Sequence, residues 1–366
     1  MNAVGLLRAR PRPAPVVLRR AVRMGPVSLV WRPRVLLVTM AAVLAAVLVA
    51  IVSLGVGDFS LSPAQVVSAL LGHGTRQELL VVQTVRLPRI LTGVAAGIAL
   101  AIAGAIMQTT ARNALASPDL LGVTAGASAG AVAVITLGGT ASASGILREV
   151  GVPTAAMVGA IVATLAVIAL TGRAGLSGIQ PLLIGIGVSA FFAGAVNLFL
   201  IAAPIKDAAR ANVWLTGSLN QRSWPELWPI VLAVLVSVLI LVPVNHRLQS
   251  LELGTDIARS TGLPLRSTGV LLIGVSVLLT AVAAASVGPL GFVALVAPHV
   301  ARMACGMTRA PLLGAAAIGA LVVVASDLLA RTLFAPIQLP AGAVIAIIGG
   351  PFLVGLLIAR KRRTAQ

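Results

Sequence analysis

The chain alternates between long apolar runs and short polar stretches. A helix that crosses a bilayer needs roughly 20 apolar residues at about 1.5 Å each. Runs of that kind at 35–54, 90–108, 120–138, 153–171, 182–203, 226–244, 269–286, 288–305, 311–330 and 338–359 predict ten transmembrane helices. The stretch 270–300 is apolar throughout; as one helix it would be about 46 Å long, against a hydrocarbon core of about 30 Å. "SVGPLG" (Ser286 to Gly291) interrupts it and predicts a helix, a tight re-entry and a second, short helix. Irregular backbone at that depth is tolerated only inside protein or beside a cavity.

The polar stretch 245–269 keeps a pattern of its own. Leu251, Leu253, Ile257, Ala258 and Leu263 recur near helical spacing, and Gly254, Gly262 and Pro264 punctuate them, which predicts two short helices with a glycine joint. Such a segment either lies on the lipid headgroups or docks another protein. It has fewer cations than the clusters of about 4–8 expected of a lipid-binding patch.

Composition sharpens this into an all-α integral membrane protein. Apolar residues make up 58% and charged residues 10%, with a mean hydropathy of +1.06. A soluble chain of this length could not bury so much apolar surface. The net charge of +18 is almost all arginine, lysine occurring only at Lys206 and Lys361, and it is scattered between the spans rather than gathered for nucleic acid. The N-terminus, 1–34, is basic and Pro-rich and reads as a partly disordered cytoplasmic tail; the run after it is too long for a secretory signal core. The permease body is 35–359, and 360–366 is a basic end.

Arginine and lysine mark the cytoplasmic side. With ten spans, one side carries the tail, the end, Arg112, Arg173, Arg247, Arg259, Arg266, Arg302 and Arg309. The other carries only Arg76, Arg86, Arg89, Arg148, Lys206, Arg210, Arg222 and Arg331. Both termini are therefore expected in the cytoplasm, in the cytoplasmic (inner) membrane. That leaves "RLPR" (Arg86 to Arg89) outside, against the trend, where its arginines either snorkel to the interface or receive a partner.

Several chemistries have no residues to carry them. No P-loop sequence is present, no G-x-S-x-G elbow, and His73, His246 and His299 stand in separate segments without ligand spacing. A single cysteine, Cys305, excludes an internal disulfide. Ion-coupled carriers keep carboxylates or histidines deep in the membrane; here Gln108 and Asn197 are the polar side chains placed there. No cofactor and no metal site are expected, and the chain reads as a passive path driven by something else, not as an enzyme.

Four motifs in order carry a resemblance. "RLPRILTGVAAGIALAIAGAIMQTTARNALASPDLLGVTAGA" (Arg86 to Ala127), "LELGTDIARSTGLPL" (Leu251 to Leu265), "GPLGFVALVAPHVARMACG" (Gly288 to Gly306) and "ASDLLARTLFAPIQLPAGAVIAIIGGPFLVGLL" (Ala325 to Leu357) resemble the permease subunits of bacterial ABC importers for iron–siderophore complexes, haem and vitamin B12. The resemblance implies ten helices in two inverted-repeat halves, and "ALASPDLLG" and "ALVAPHVAR" sit at similar places in each half. It implies a second permease subunit, separate ABC ATPase subunits and an extracytoplasmic siderophore-binding protein as partners. Arg86, Arg89 and Arg331 would dock that protein. Leu251, Gly254, Ile257, Ala258, Gly262 and Leu263 would couple to the ATPase. The fifth span, with Ser189 and Asn197, and Gln108 would line the path. Asp327 and Arg331 also have the spacing of an i,i+4 helix pair. The chain departs from the family pattern at Ala114, Ala294 and Gln338, the last removing an outer-face charge. The implied cargo is a ferric siderophore, with haem or vitamin B12 as alternatives; an ion-coupled carrier is the competing class.

Overall fold

The computed structural model describes residues 21–24, 27–30, 32–57, 59–138, 151–172, 180–252, 254–260, 262–335 and 337–364. Residues 1–20 of the tail, Arg148, Arg173 and Leu253 lie outside the described residues. The chain separates into two units, Met1–Pro33 and Arg34–Gln366. In the first, β1 (Ala21–Met24) pairs antiparallel with β2 (Val27–Val30), Ala21 opposite Val30 and Met24 opposite Val27. Three valines among these eight positions favour strand, so this part of the tail is paired.

The second unit is helical. Its elements are α1 (Pro33–Gly55), α2 (Pro63–Leu70), α3 (Arg76–Leu79), a π-helix (Leu80–Arg86), α4 (Leu87–Thr110), a 3-10 turn (Pro118–Leu121), α5 (Val123–Leu137), α6 (Val152–Thr171), α7 (Gln180–Ala202), α8 (Ile205–Leu215), α9 (Trp224–Glu252), α10 (Thr255–Ser260), α11 (Leu265–Val287), α12 (Val293–Cys305), α13 (Leu312–Thr332) and α14 (Ala341–Thr364). Eight helical stretches are long and apolar enough to cross a membrane, and the shorter apolar α5 and α12 bring the described set to the ten expected.

Two spans form the centre. In the most apolar window, 83% of the span containing α4 and 78% of α11 are buried, against 11% for α1 and for α7. A helix apolar all round belongs inside, and α4 also has the small residues that let backbones meet. A Cβ at Gly97 would collide with the Gly319 carbonyl of α13, and one at Gly319 with the Gly97 carbonyl. With lipid tails as apolar as the side chains, such close packing holds helices together. Polar staples add to it: Ser276 Oγ donates to the Ala103 carbonyl at 2.9 Å, and Gln108 Nε2 to the Leu295 carbonyl at 3.2 Å.

The third apolar helix of each half is the short one, and each starts from a left-handed residue, Gly122 (φ 75°) for α5 and Phe292 (φ 65°) for α12. The break expected at Ser286 to Gly291 runs from Gly288 (φ 79°) to Phe292. The two quoted motifs do not coincide as elements: Pro118 opens the 3-10 turn before α5, whereas Pro298 lies inside α12.

The segment 245–269 corrects one expectation. Its first half is not a separate short helix but the end of α9, because Leu241, Val244, Leu248 and Leu251 keep one buried stripe through it. Only α10 stands alone, between Gly254 (φ 113°) and Gly262 (φ 77°).

Candidate functional site

Two rims of the bundle gather the predicted residues. At the first, the backbone around RLPR is unusual. Pro88 has no N–H to give to the preceding turn, and the turn before it widens into the π-helix that ends at Arg86. Such bulges concentrate at functional sites. The approach is fixed by two capping boxes, Ser62 with Gln65 and Thr75 with Glu78, and the Gln65 amide also donates to Glu78 at 2.8 Å.

Arg86 is 6% exposed; it donates to the Leu54 carbonyl at 2.6 Å and the Phe59 carbonyl at 2.5 Å. Arg331, on α13, reaches the same helix end, donating to Ser53 Oγ, to the Ser53 carbonyl at 3.4 Å and to the Val56 carbonyl at 3.5 Å. The last turn of α1 has no basic residue of its own. Two guanidiniums from elsewhere thus meet the orphan carbonyls and the negative end of its dipole.

Arg89 is the bridge. Its Nε lies 3.2 and 3.1 Å from the two Asp327 oxygens and its Nη2 lies 2.8 Å from Oδ1, with Asp327 only 2% exposed. Arg331 Nε is 3.3 Å from Asp327 Oδ2 but is not aligned for a hydrogen bond. The expected i,i+4 pair is therefore present, and the better partner comes from α4. Arg89 Nη1 faces two neutral amides, Asn220 Oδ1 at 3.3 Å and Gln338 Oε1 at 3.5 Å, both on exposed residues. Arg86 and Arg89 both lie within Coulombic reach of Arg331. Arg89 and Arg331 meet the one carboxylate while Arg86 stands near Arg331, so among the described residues the cluster keeps a positive excess. Sequence reasoning missed Ser53, Leu54, Phe59 and Asn220, three of them backbone acceptors at least in part, which leave no mark in residue identity.

At the other rim the coupling candidates divide. Leu251 (8% exposed) and Ala258 (0%) face the core, Ile257 is 49% exposed, and Leu263 is half-buried. After α10, Gly262 N–H bonds to the Arg259 carbonyl and Leu263 N–H to the Ala258 carbonyl, a Schellman end with glycine in the left-handed position.

The path candidates also divide. Gln108 is buried in its bond to Leu295 and holds α4 against α12. Ser189 is half-buried and Asn197 exposed, both on the peripheral α7. His299 is buried, with Nδ1 3.0 Å from Arg302 Nη2 and its ring edge-on to Phe352. Among the described residues no group of His, Cys, Asp and Glu could hold a metal ion.

The signature of the FecCD transport family matches residues 40–360. The chain belongs to the FecCD transport family. It is 38% identical over 333 residues to the ferric enterobactin transport system permease protein FepG of Escherichia coli (strain K12), covering 90% of this chain and 98% of that one. It is equally 38% identical, over 329 residues, to the achromobactin transport system permease protein CbrC of Dickeya dadantii (strain 3937), covering 87% and 90%. A solved inward-facing conformation of a metal-chelate type ABC transporter superposes with a TM-score of 0.75 at 28% identity, covering 88% of this chain and 98% of that one. FecCD chains are the multi-pass membrane permease subunits of ABC importers, and the ten-helix fold described above is theirs.

Proposed function

We propose that this chain is the permease of an ATP-driven importer that carries a ferric siderophore inward across the cytoplasmic membrane by alternating access. The match over most of the chain to permeases of ferric enterobactin and achromobactin systems carries that reading. ATP hydrolysis falls to separate ABC subunits, and both termini face the cytoplasm. The ATPase seats on α10, where Ile257 is the exposed apolar contact and the Gly254 and Gly262 joints let the short helix follow its partner. α9 continues as helix from its span through Pro243 to Leu251, so a push on α10 reaches the bundle through one continuous element.

The RLPR rim receives the siderophore-binding protein. Its guanidiniums are already engaged inside the subunit, so the partner's carboxylates meet the cluster at its outward edge, Arg89 Nη1 between Asn220 and Gln338. The positive excess steers that encounter. The path runs along α7, past Ser189 and Asn197, against a second permease subunit.

Uptake of radiolabelled iron, offered as a panel of siderophores to cells with and without this chain, tests the reading. Loss of one siderophore class on deletion is the expected result. Undiminished iron uptake with loss of vitamin B12 or haem uptake would replace the cargo, and uptake that survives removal of the partner ATPase would remove the energy source.

A further inference from the structure

The RLPR rim uses Arg86, Arg89 and Arg331, and Arg222 donates to the Ser218 carbonyl at 3.3 Å. Two further cations of the same expected side, Lys206 and Arg210, stand on α8 and belong to neither arrangement. α8 has two distinct faces. Asp207, Ala208, Ala211, Trp214 and Leu215, at i, i+1, i+4, i+7 and i+8, are buried or half-buried, and Ala211 packs with Ala129 and Val132 of α5 and Val196 of α7. Ile205, Lys206, Ala209, Arg210, Asn212 and Val213 are exposed. The helix thus turns its one acid inward and both cations outward. Side-chain exposure is 15% for Asp207 and 77% for Arg210, and their ion pair is stretched to 3.8 Å. A pair so open to water neutralises little of the Arg210 charge. The Lys206 ammonium has no ion pair or hydrogen bond among the described residues.

The spacing of the two cations does nothing for the helix that carries them. Like charges four apart on a helix repel, and Lys206 stands in the first turn, where the dipole disfavours a cation. Ala209, small and exposed between them, leaves the space over the pair open. α8 also carries on from the path helix. Exposed residues of α7 recur every three or four positions at Phe191, Gly194, Leu198 and Ile201, and Ile205 follows at the same interval across Ala203 and Pro204.

We propose that Lys206 and Arg210 form an anion-receiving site at the outer end of the path, taking a negatively charged ferric chelate as it leaves the binding protein. The site rests on the reading that the path runs along α7, and it adds the class of cargo. Ferric iron in a full hydroxamate shell is neutral, whereas catecholate or carboxylate donors leave negative charge on the complex. Two cations one turn apart on an open face raise the local concentration of such an anion. Their long, flexible stems let both charges follow a cargo in motion.

The test uses the full-length permease with its ATPase and binding protein in phosphatidylcholine proteoliposomes. In the first arm, Ala209→Cys is labelled with an anionic or a cationic methanethiosulfonate reagent, the native Cys305 being buried. The anionic reagent should react about tenfold faster, and Lys206→Gln with Arg210→Gln should remove the preference. No reaction with either reagent, or no preference, overturns the proposal. In the second arm, uptake of a ferric tris-catecholate is compared with that of a neutral ferric trihydroxamate. The doubly neutralised variant should slow the catecholate about tenfold with the KM for the loaded binding protein unchanged. Lys206→Arg with Arg210→Lys should restore the rate, and Arg76→Gln, at an exposed cation of α3, should leave it as it was. An undiminished catecholate rate overturns the proposal, as does a transporter that carries the trihydroxamate alone. A defect that appears only when phosphatidylglycerol is added assigns the pair to lipid headgroups and overturns it as well. A wild-type importer that moves no ferric siderophore removes the cargo reading above, and the first arm, which needs no cargo, still decides the anion site.

Discussion

Asp327 is the residue on which the RLPR rim turns. It is almost fully buried and answers two guanidiniums, Arg89 across the helix interface and Arg331 one turn along its own helix. Removing one partner of a buried ion pair costs about 3–5 kcal/mol, because the remaining charges stay out of water. Asp327→Asn is therefore expected to lower the Tm of the purified permease and its level in the membrane, and Arg89→Lys to do so partly, since an ammonium cannot hold both carboxylate oxygens as the planar fork does. At the neutral edge the effect is different. Gln338→Glu sets a second carboxylate near Arg89 Nη1 and should weaken capture of the binding protein about tenfold at low salt, with Tm unchanged; surface plasmon resonance across ionic strengths checks both. Arg86 and Arg89 stood out in the sequence as charges on the side expected to carry few, and Arg331 through the family resemblance. That Arg89 meets Asp327, far along the chain, was not, because pairing between distant helices follows from packing. Gln108 was read as a polar residue of the path; its role as a staple depends on a backbone carbonyl of another helix, which leaves no mark in the sequence.

At the scale of elements, the apolar runs match nearly every long or apolar bundle helix within a few residues, because lipid leaves the backbone no other way to satisfy its hydrogen bonds, but they give no sign of the short helices α2, α3 and α8. The end of α9 was cut too early. The polar residues Asn245, His246, Arg247 and Gln249 suggested a loop, yet the stripe of Leu241, Val244, Leu248 and Leu251 continued the helix beneath them. The glycines at 254 and 262 were read correctly as joints. Gly262→Ala forces a Cβ onto a left-handed residue in open space, at a cost of about 1 kcal/mol. It should leave membrane levels unchanged while lowering the transport achieved per ATP hydrolysed, measured in proteoliposomes with the partner ATPase. Gly97→Val is the opposite case: the added atoms meet the Gly319 backbone, which has nowhere to move. Folded protein in the membrane should fall sharply, as gel filtration of solubilised membranes would show.

At the largest scale, the helical unit is built around α4 and α11, with α1 and α7 on the outside among the described helices. An exposed amide on a membrane helix is costly against lipid, so the Asn197 position on α7 is expected to be covered by the second permease subunit. Asn197→Cys should cross-link between subunits in membranes, against a low background because the native Cys305 is buried; a product at monomer mass only would return that face to lipid. Neither the centrality of α4 nor the exposure of α7 was readable from hydropathy, since both are equally apolar runs and only their neighbours distinguish them.

The clamp on α1 constrains how such a transporter can change its partner over evolutionary time. This peripheral helix is tied at one end by Arg34, whose Nε donates to the Ala304 carbonyl, and at the other by Arg86 and Arg331. Those last two arginines are thereby fixed by architecture: a lineage that altered them to suit a new binding protein would loosen a helix. Divergence falls more easily on the exposed positions at the rim, Asn220 and Gln338, whose amides meet only the outward edge of Arg89 in this cluster, and a permease could be retargeted in the laboratory by redesigning that pair.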